Sequence, residues 1–207
     1  MASTIIHMCV AKKVNEKLNM DIRLLSLGSI APDLAKQIGM TKDVAHFVDD
    51  IPNVPDMDDF LNKYGNSLNK PFEMGYYIHL LTDKYWFSDF IEDKMCCYNN
   101  KFDNKLSRKE ILQVIYNDYS LSNKPLISLY NPCVDIFFND FVIDSEIDEI
   151  PVSKLNILVD NMRNLVFEDV EGQFTILSMD DICNFIEKCS ELILLDIERN
   201  IKYGRNL

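Results

Sequence analysis

The chain has 207 residues, 47% of them hydrophobic, which is enough for one sizeable core and points to a single domain over 1–207. Its formal charge of −12, from 33 Asp and Glu against 21 Lys and Arg, argues against extended nucleic-acid binding and against sustained adhesion to anionic lipid, because both repel an acidic surface. Six glycines and seven prolines are few for this length, and that scarcity of turn residues favours long helices over many short strands.

Ser3 is a candidate N-cap for a first helix running to about Leu18, with Ile6, Val10, Val14 and Leu18 as its apolar stripe. His7 neighbours Val10, Ala11 and Val14 and so points inward. Leu24 to Asp33 follows, with a bend bracketed by Gly28 and Pro32. Lys42 to Phe47 is short, a turn of helix or a loop. Asp49 to Pro55 is a connector stiffened by two prolines. Met57 to Tyr64 is expected to be helical, and a long helix is expected from about Pro71 to Asp93. Ser107-Arg108-Lys109-Glu110 is a capping box that starts another helix. Leu126 to Val142 is aromatic and helical in part, Asp144 to Asp148 is an acidic connector, and Val152 to Phe167 is a further helix. Glu168 to Thr175 is a strand or an irregular loop. Ser178 starts the last helix, which ends near Tyr203. The sum is an all-α bundle of about seven to eight helices.

None of the six cysteines forms a Cys-x-x-Cys pair, and most lie in apolar, helix-like contexts, so all six are expected as buried free thiols in a reducing compartment. The first residues lack a basic start followed by an apolar run, so no secretory leader is expected. No stretch approaches ~18 uncharged apolar residues, so no transmembrane segment is expected either. A cytoplasmic globular protein is the resulting expectation.

The chemistry-bearing stretch is Gly75-Tyr76-Tyr77-Ile78-His79-Leu80-Leu81-Thr82-Asp83-Lys84-Tyr85-Trp86. His79 and Asp83 are four apart, so on a helix their Cβ atoms lie roughly 6 Å apart on one face, where an imidazole and a carboxylate can converge on one cation. Gly75, one turn earlier on the same stripe, is read as leaving room beside them. Hydrogen bonding of His79 to Asp83 in a core is the plain alternative for this pair alone. The chain has three histidines, His7, His46 and His79, each on or beside an apolar helical segment. With Asp33 and Asp83 they form a set of imidazole and carboxylate donors suited to zinc, with iron or manganese as alternatives. Five such residues from four segments are what a bundle core uses to hold ions. The tyrosines at 76, 77 and 85 and Trp86 are read as core packing, with a substrate-flanking role as the alternative. Ser29 and Thr82 are read as local backbone partners, and Asp49 and Asp50 as solvated loop charges.

The order of an early helical His7, then Gly28-Ser29-Ile30-Ala31-Pro32-Asp33, then His46-Phe47, then Gly75-Tyr76-x-x-His79-Leu80-x-x-Asp83 resembles the bacterial zinc-dependent phospholipase C family. That family shares its helical fold with single-strand-specific fungal nucleases. The resemblance covers roughly residues 3 to 90. It implies that Asp33, His46, His79 and Asp83 bind one zinc, that Asp83 bridges to a second ion held also by His7, and that Asp33 is the base. The family's second site also takes the amino group and carbonyl of a terminus created by leader cleavage, and its third takes two further histidines and a Glu. No histidine follows His79 here, so a third site would have to be rebuilt from carboxylates such as Asp89, Glu92 or Asp118, and one or two ions are expected. The implied activity is hydrolysis of a small or phospholipid-like phosphoester. Two alternatives stand beside it: a metal-stabilised helical protein without turnover, and a His-Asp phosphohydrolase, against which no adjacent His-Asp dipeptide occurs in the chain.

Overall fold

The computed structural model describes residues 2–49, 51–101 and 106–204, with the side chains of all but Asp89 and 201–204. The fold is all-α. Among the described residues, eight α-helices have eight residues or more: α1 (Thr4–Leu18), α2 (Ile22–Ile30), α5 (Met57–Tyr64), α6 (Pro71–Tyr85), α7 (Ile91–Asn99), α8 (Arg108–Tyr130), α9 (Leu155–Met162) and α10 (Met179–Gly204). Two single turns, α3 (Leu34–Gln37) and α4 (Lys42–Ala45), lie between α2 and α5. The sole sheet-type pairing among the described residues is an isolated bridge between Val48 and Pro55.

Local chemistry sets most helix starts. The Ser3 hydroxyl accepts the Ile6 N–H at 3.2 Å and opens α1, and Asn19, at φ 53°, closes it in the left-handed conformation. Ser107 and Glu110 form a reciprocal capping box at the head of α8. Ser178 and Asp181 exchange the same kind of bonds at the head of α10. Pro125 sits inside α8, where it removes one ladder bond without ending the helix.

The central helix departs from the sequence expectation. α6 stops at Tyr85, a π-helical segment occupies Trp86–Phe90, and α7 resumes at Ile91. The wider turn carries Trp86 and Phe90 together onto Phe185 of α10, with ring centroids 4.7 and 5.0 Å away. Residues 168–175 form an irregular loop.

α2 and α6 make the most extensive helix pair. A Cβ on Gly28 would run into the carbonyl oxygen of Phe72, and a Cβ on Gly75 into that of Leu25. The two glycines thus let the backbones touch. The space expected beside Gly75 is therefore filled by the backbone of α2, a correction that follows from this crossing. Around it, one continuous core runs from Ala2 to Ile197, drawing on every long helix. The cysteines also depart from expectation: Cys9 and Cys189 are buried, Cys133 and Cys183 are half-buried, and Cys96 and Cys97 are exposed. α7 turns Ile91 and Met95 inward, which leaves Cys96 and Cys97 facing out. No described helix is long and apolar enough to cross a membrane.

Candidate metal centre

The α2–α6 crossing gathers all five candidate ligands at one point. α1 brings His7, the 3₁₀ turn Ala31–Asp33 after α2 brings Asp33, the end of α4 brings His46, and α6 brings His79 and Asp83. All five are at most 5% exposed. His7 and His79 stack face to face, with centroids 3.9 Å apart. His7 Nε2 lies 3.4 Å from Asp83 Oδ1, and His46 Nε2 lies 3.6 Å from Asp33 Oδ1. Asp83 Oδ2 lies 3.8 Å from His79 Nε2 and 3.9 Å from His46 Nε2. All four separations exceed the 2.7–3.2 Å of an ordinary N–H···O bond, so these groups converge without bonding one another.

The tautomers follow from the neighbours. His79 Nδ1 is 2.8 Å from the Ser29 carbonyl oxygen, and His46 Nδ1 is 3.0 Å from the Lys42 carbonyl oxygen. A carbonyl only accepts, so each Nδ1 carries the proton and, in the neutral ring, each Nε2 presents a lone pair. Those two Nε2 atoms face each other at 3.2 Å. Two lone pairs at that distance repel unless a proton on one ring or a metal cation lies between them. Two imidazoles bound to one zinc at ~2.0–2.1 Å in a tetrahedron leave their nitrogens about 3.3 Å apart, which matches the separation here.

The polar accounting agrees. Seven buried side-chain nitrogen and oxygen atoms among the described residues lack a hydrogen-bond partner, and four belong to this cluster: both ring nitrogens of His7, Asp33 Oδ1 and Asp83 Oδ2. Buried polar groups are ordinarily satisfied, so an unpaired group concentrated at one point marks a missing partner. Burial would raise both carboxyl groups, but contact with His46 and the field of the imidazoles hold Asp33 down to about 2, and the imidazoles of His7 and His79 help hold Asp83 well below its usual range. Burial and the facing imidazole of His7 push His79 well below its ordinary value. Ionised carboxylates beside a His79 ring that burial keeps from protonating, all out of water, form a site that calls for positive charge.

Two ligand groups meet the spacing for a metal ion: Asp33, His46 and His79, and His7, His79 and Asp83, each with ligand atoms within 4.8 Å of one another. His79 has one free nitrogen, Nε2, which faces His46 Nε2. Asp83 spans the two groups, with Oδ2 toward His46 and His79 and Oδ1 toward His7, where it also accepts the Ala2 backbone N–H at 3.0 Å.

No family model matches the chain, and no curated protein or solved structure matches it either. The site therefore stands on its own geometry.

The remaining sequence candidates fall elsewhere. Both oxygens of Asp118 are taken by backbone N–H groups of Thr175, Ile176 and Leu177 at 2.8–2.9 Å, so it pins a loop and is no ligand. Glu92 pairs with Arg108 on the surface. The side chain of Asp89 and all of Asp50 lie outside the described residues. Asp49 lines a cavity of about 280 Å³ with Asp43, Phe47, Asp56 and Glu149, beside the turn that carries His46. Ser29 and Thr82 hydroxyls donate to the Ser26 and Ile78 carbonyls. Trp86 is core, and the Tyr77 hydroxyl donates to Asp196 of α10 at 2.5 Å. The groups that sequence reasoning missed are the Ser29 and Lys42 carbonyls, the Ala2 amide and the Tyr76 hydroxyl. Three of these are backbone atoms, which carry no residue-type signal. The pairing of Gly28 with Gly75 was the one available hint of the close crossing.

Proposed function

We propose that the protein is a metal-dependent phosphoester hydrolase with a mono- or dinuclear centre of the zinc type and a small or phospholipid-like phosphoester as substrate. One observation carries the metal part of this reading: two imidazole nitrogens with lone pairs facing at 3.2 Å beside buried, partnerless carboxylate oxygens. The hydrolase part is supported by the ordered His7, Pro32-Asp33, His46 and His79-x-x-x-Asp83 pattern and its resemblance to the zinc-dependent phospholipase C family. Asp33, His46, His79 and Oδ2 of Asp83 would hold one ion, and His7 with Oδ1 of Asp83 would hold a second. A divalent ion bound there supplies Lewis-acid polarisation of a phosphoryl oxygen and lowers the pKa of nearby water. The chain's own residues do the rest. The Ser29 and Lys42 carbonyls hold both rings with Nε2 aimed inward. Asp33 would accept the proton of an attacking water through the oxygen that does not hold the ion.

The depth of the cluster favours a second reading, in which the ion only holds the N-terminal half together. None of the five residues lines the cavity beside α4 or the one between Phe137 and Arg163. Elemental analysis of the purified protein beside His79→Ala tests the metal part first: one or two zinc, iron or manganese ions per chain are expected, and none in the variant. A metal-free protein indifferent to chelator would remove the site and the hydrolase together. Turnover of a generic phosphodiester that stops with chelator then separates hydrolase from structural ion. Asp33→Asn is expected to retain metal while losing at least about 100-fold in kcat. Undiminished turnover in that variant would sink the base assignment.

A further inference from the structure

His46 is carried by an element with little stability of its own. α4 is a single turn, and one turn alone does not repay the cost of ordering it. Left-handed residues bracket it, Gly39 at φ 72° and Phe47 at φ 53°. Its carbonyls are all engaged, three within the turn and one by an outside donor. The Lys42 carbonyl accepts both the His46 N–H and Nδ1–H, each at 3.0 Å. The Asp43 carbonyl accepts Val48 N–H at 2.9 Å, and the Val44 carbonyl accepts Phe47 N–H at 3.3 Å. The Ala45 carbonyl, next to His46 and buried, accepts the Tyr76 hydroxyl at 2.5 Å. Tyr76 is fully buried on α6, three residues before His79 and seven before Asp83. Its ring is clamped, stacked on Phe60 at 5.8 Å and edge-on to Phe47 at 6.3 Å.

We infer that Tyr76 is a positioning residue for the metal centre: by holding the Ala45 carbonyl it sets the reach of His46 Nε2 toward His79 Nε2, and thereby the affinity of the centre for its ion. The inference rests on the metal-centre reading above. One rigid helix carries Tyr76, His79 and Asp83, so the hydroxyl gauges the His46 turn against the same frame that holds the other ligands. A partner that acts through a ligand in this way typically controls 10–100-fold in metal affinity.

The test is Tyr76→Phe, which keeps the ring and removes the hydroxyl. Tyr77→Phe is the matched control: its ring also stacks on Phe60, at 5.5 Å, but its hydroxyl bonds to Asp196 and Asn200 of α10. The readouts are Co²⁺ titration followed by visible absorption, Zn²⁺ competition against a chromophoric chelator, and the denaturant stability of the metal-free proteins. Tyr76→Phe is expected to bind about 10–100-fold more weakly with an altered Co²⁺ band, while Tyr77→Phe binds as the wild type does. In a His46→Ala background Tyr76→Phe should cost no further affinity, because nothing remains for it to position. Equal affinity in Tyr76→Phe and wild type, an equal loss in both tyrosine variants, or an undiminished further loss in the His46→Ala background would each overturn the role of Tyr76 and leave the centre standing. A wild-type protein that takes neither Co²⁺ nor Zn²⁺ would overturn the centre itself, and Tyr76 with it.

Discussion

Asp83 and Asp118 are withdrawn from water to the same degree, yet their surroundings are opposite. Asp118, on α8, spends both oxygens on three backbone N–H groups of the stretch leading into α10. Asp83, on α6, has one oxygen on the Ala2 amide and the other facing imidazoles at 3.8–3.9 Å with no donor at all. Burial alone therefore does not separate a structural carboxylate from a ligand. Counting donors does: a saturated carboxylate is a fastener, and an unsaturated one beside converging imidazole nitrogens is half of a coordination site.

The comparison breaks most violently at the helix crossing on which the Asp83 side depends. Gly75→Ala drives a Cβ into a backbone carbonyl that cannot swing aside, so a loss of upwards of about 3 kcal/mol in denaturant stability is expected, with metal binding lost too. Asp118→Ala comes next. Orphaning its three N–H groups should cost about 3 kcal/mol by the same measurement, with the metal content of the folded fraction unchanged. Loss of metal along with stability would mean that the two regions are not independent. His79→Ala and chelation should act the other way round, abolishing bound metal first. A chelator should lower the thermal midpoint of the wild type by the binding term, about 2.7 kcal/mol for an ion present at 100 times its Kd, and leave that of His79→Ala where it was.

The smallest effect is expected at the surface. The bidentate pairing with Arg108 lowers the Glu92 carboxyl below its usual range against a weaker effect of burial. A carboxyl lowered in the folded state contributes stability above its unfolded pKa, and that contribution fades as pH falls through the folded value. Both side chains are about half exposed, so less than about 1 kcal/mol should be lost on acidification, and Glu92→Gln should remove that part of the slope in pH-dependent denaturation.

Much of the architecture was legible because it is made of short-range bonds. The Ser3 cap, the Ser107–Glu110 box and the Ser178 cap each close within three residues, so the starts of α1, α8 and α10 could be read from residue type. Where distant partners decide, the reading failed. The π-helical segment Trp86–Phe90 answers to Phe185, far along the chain, and the room imagined at Gly75 belongs to the backbone of α2. Cys96 and Cys97 lie in an apolar run, yet the phase of α7 puts Ile91 and Met95 inside in their stead.

The five residues of the centre divide along the same line. Sequence by itself determined that His79 and Asp83 share a helix face, because one turn of α-helix sets their separation whatever surrounds it. It also determined that the imidazole and carboxylate donors suit a borderline metal. Only the tertiary structure decided that His46 Nε2 meets His79 Nε2 at 3.2 Å, that both Nδ1 atoms are spent on carbonyls, and that Asp83 faces His7 with one oxygen and His46 with the other. Apart from the bond of His46 Nδ1 to Lys42, which closes within four residues, those relations join segments that no local hydrogen bond connects. They exist because two glycines let α2 and α6 close to backbone contact and because a buried hydroxyl ties the His46 turn to α6.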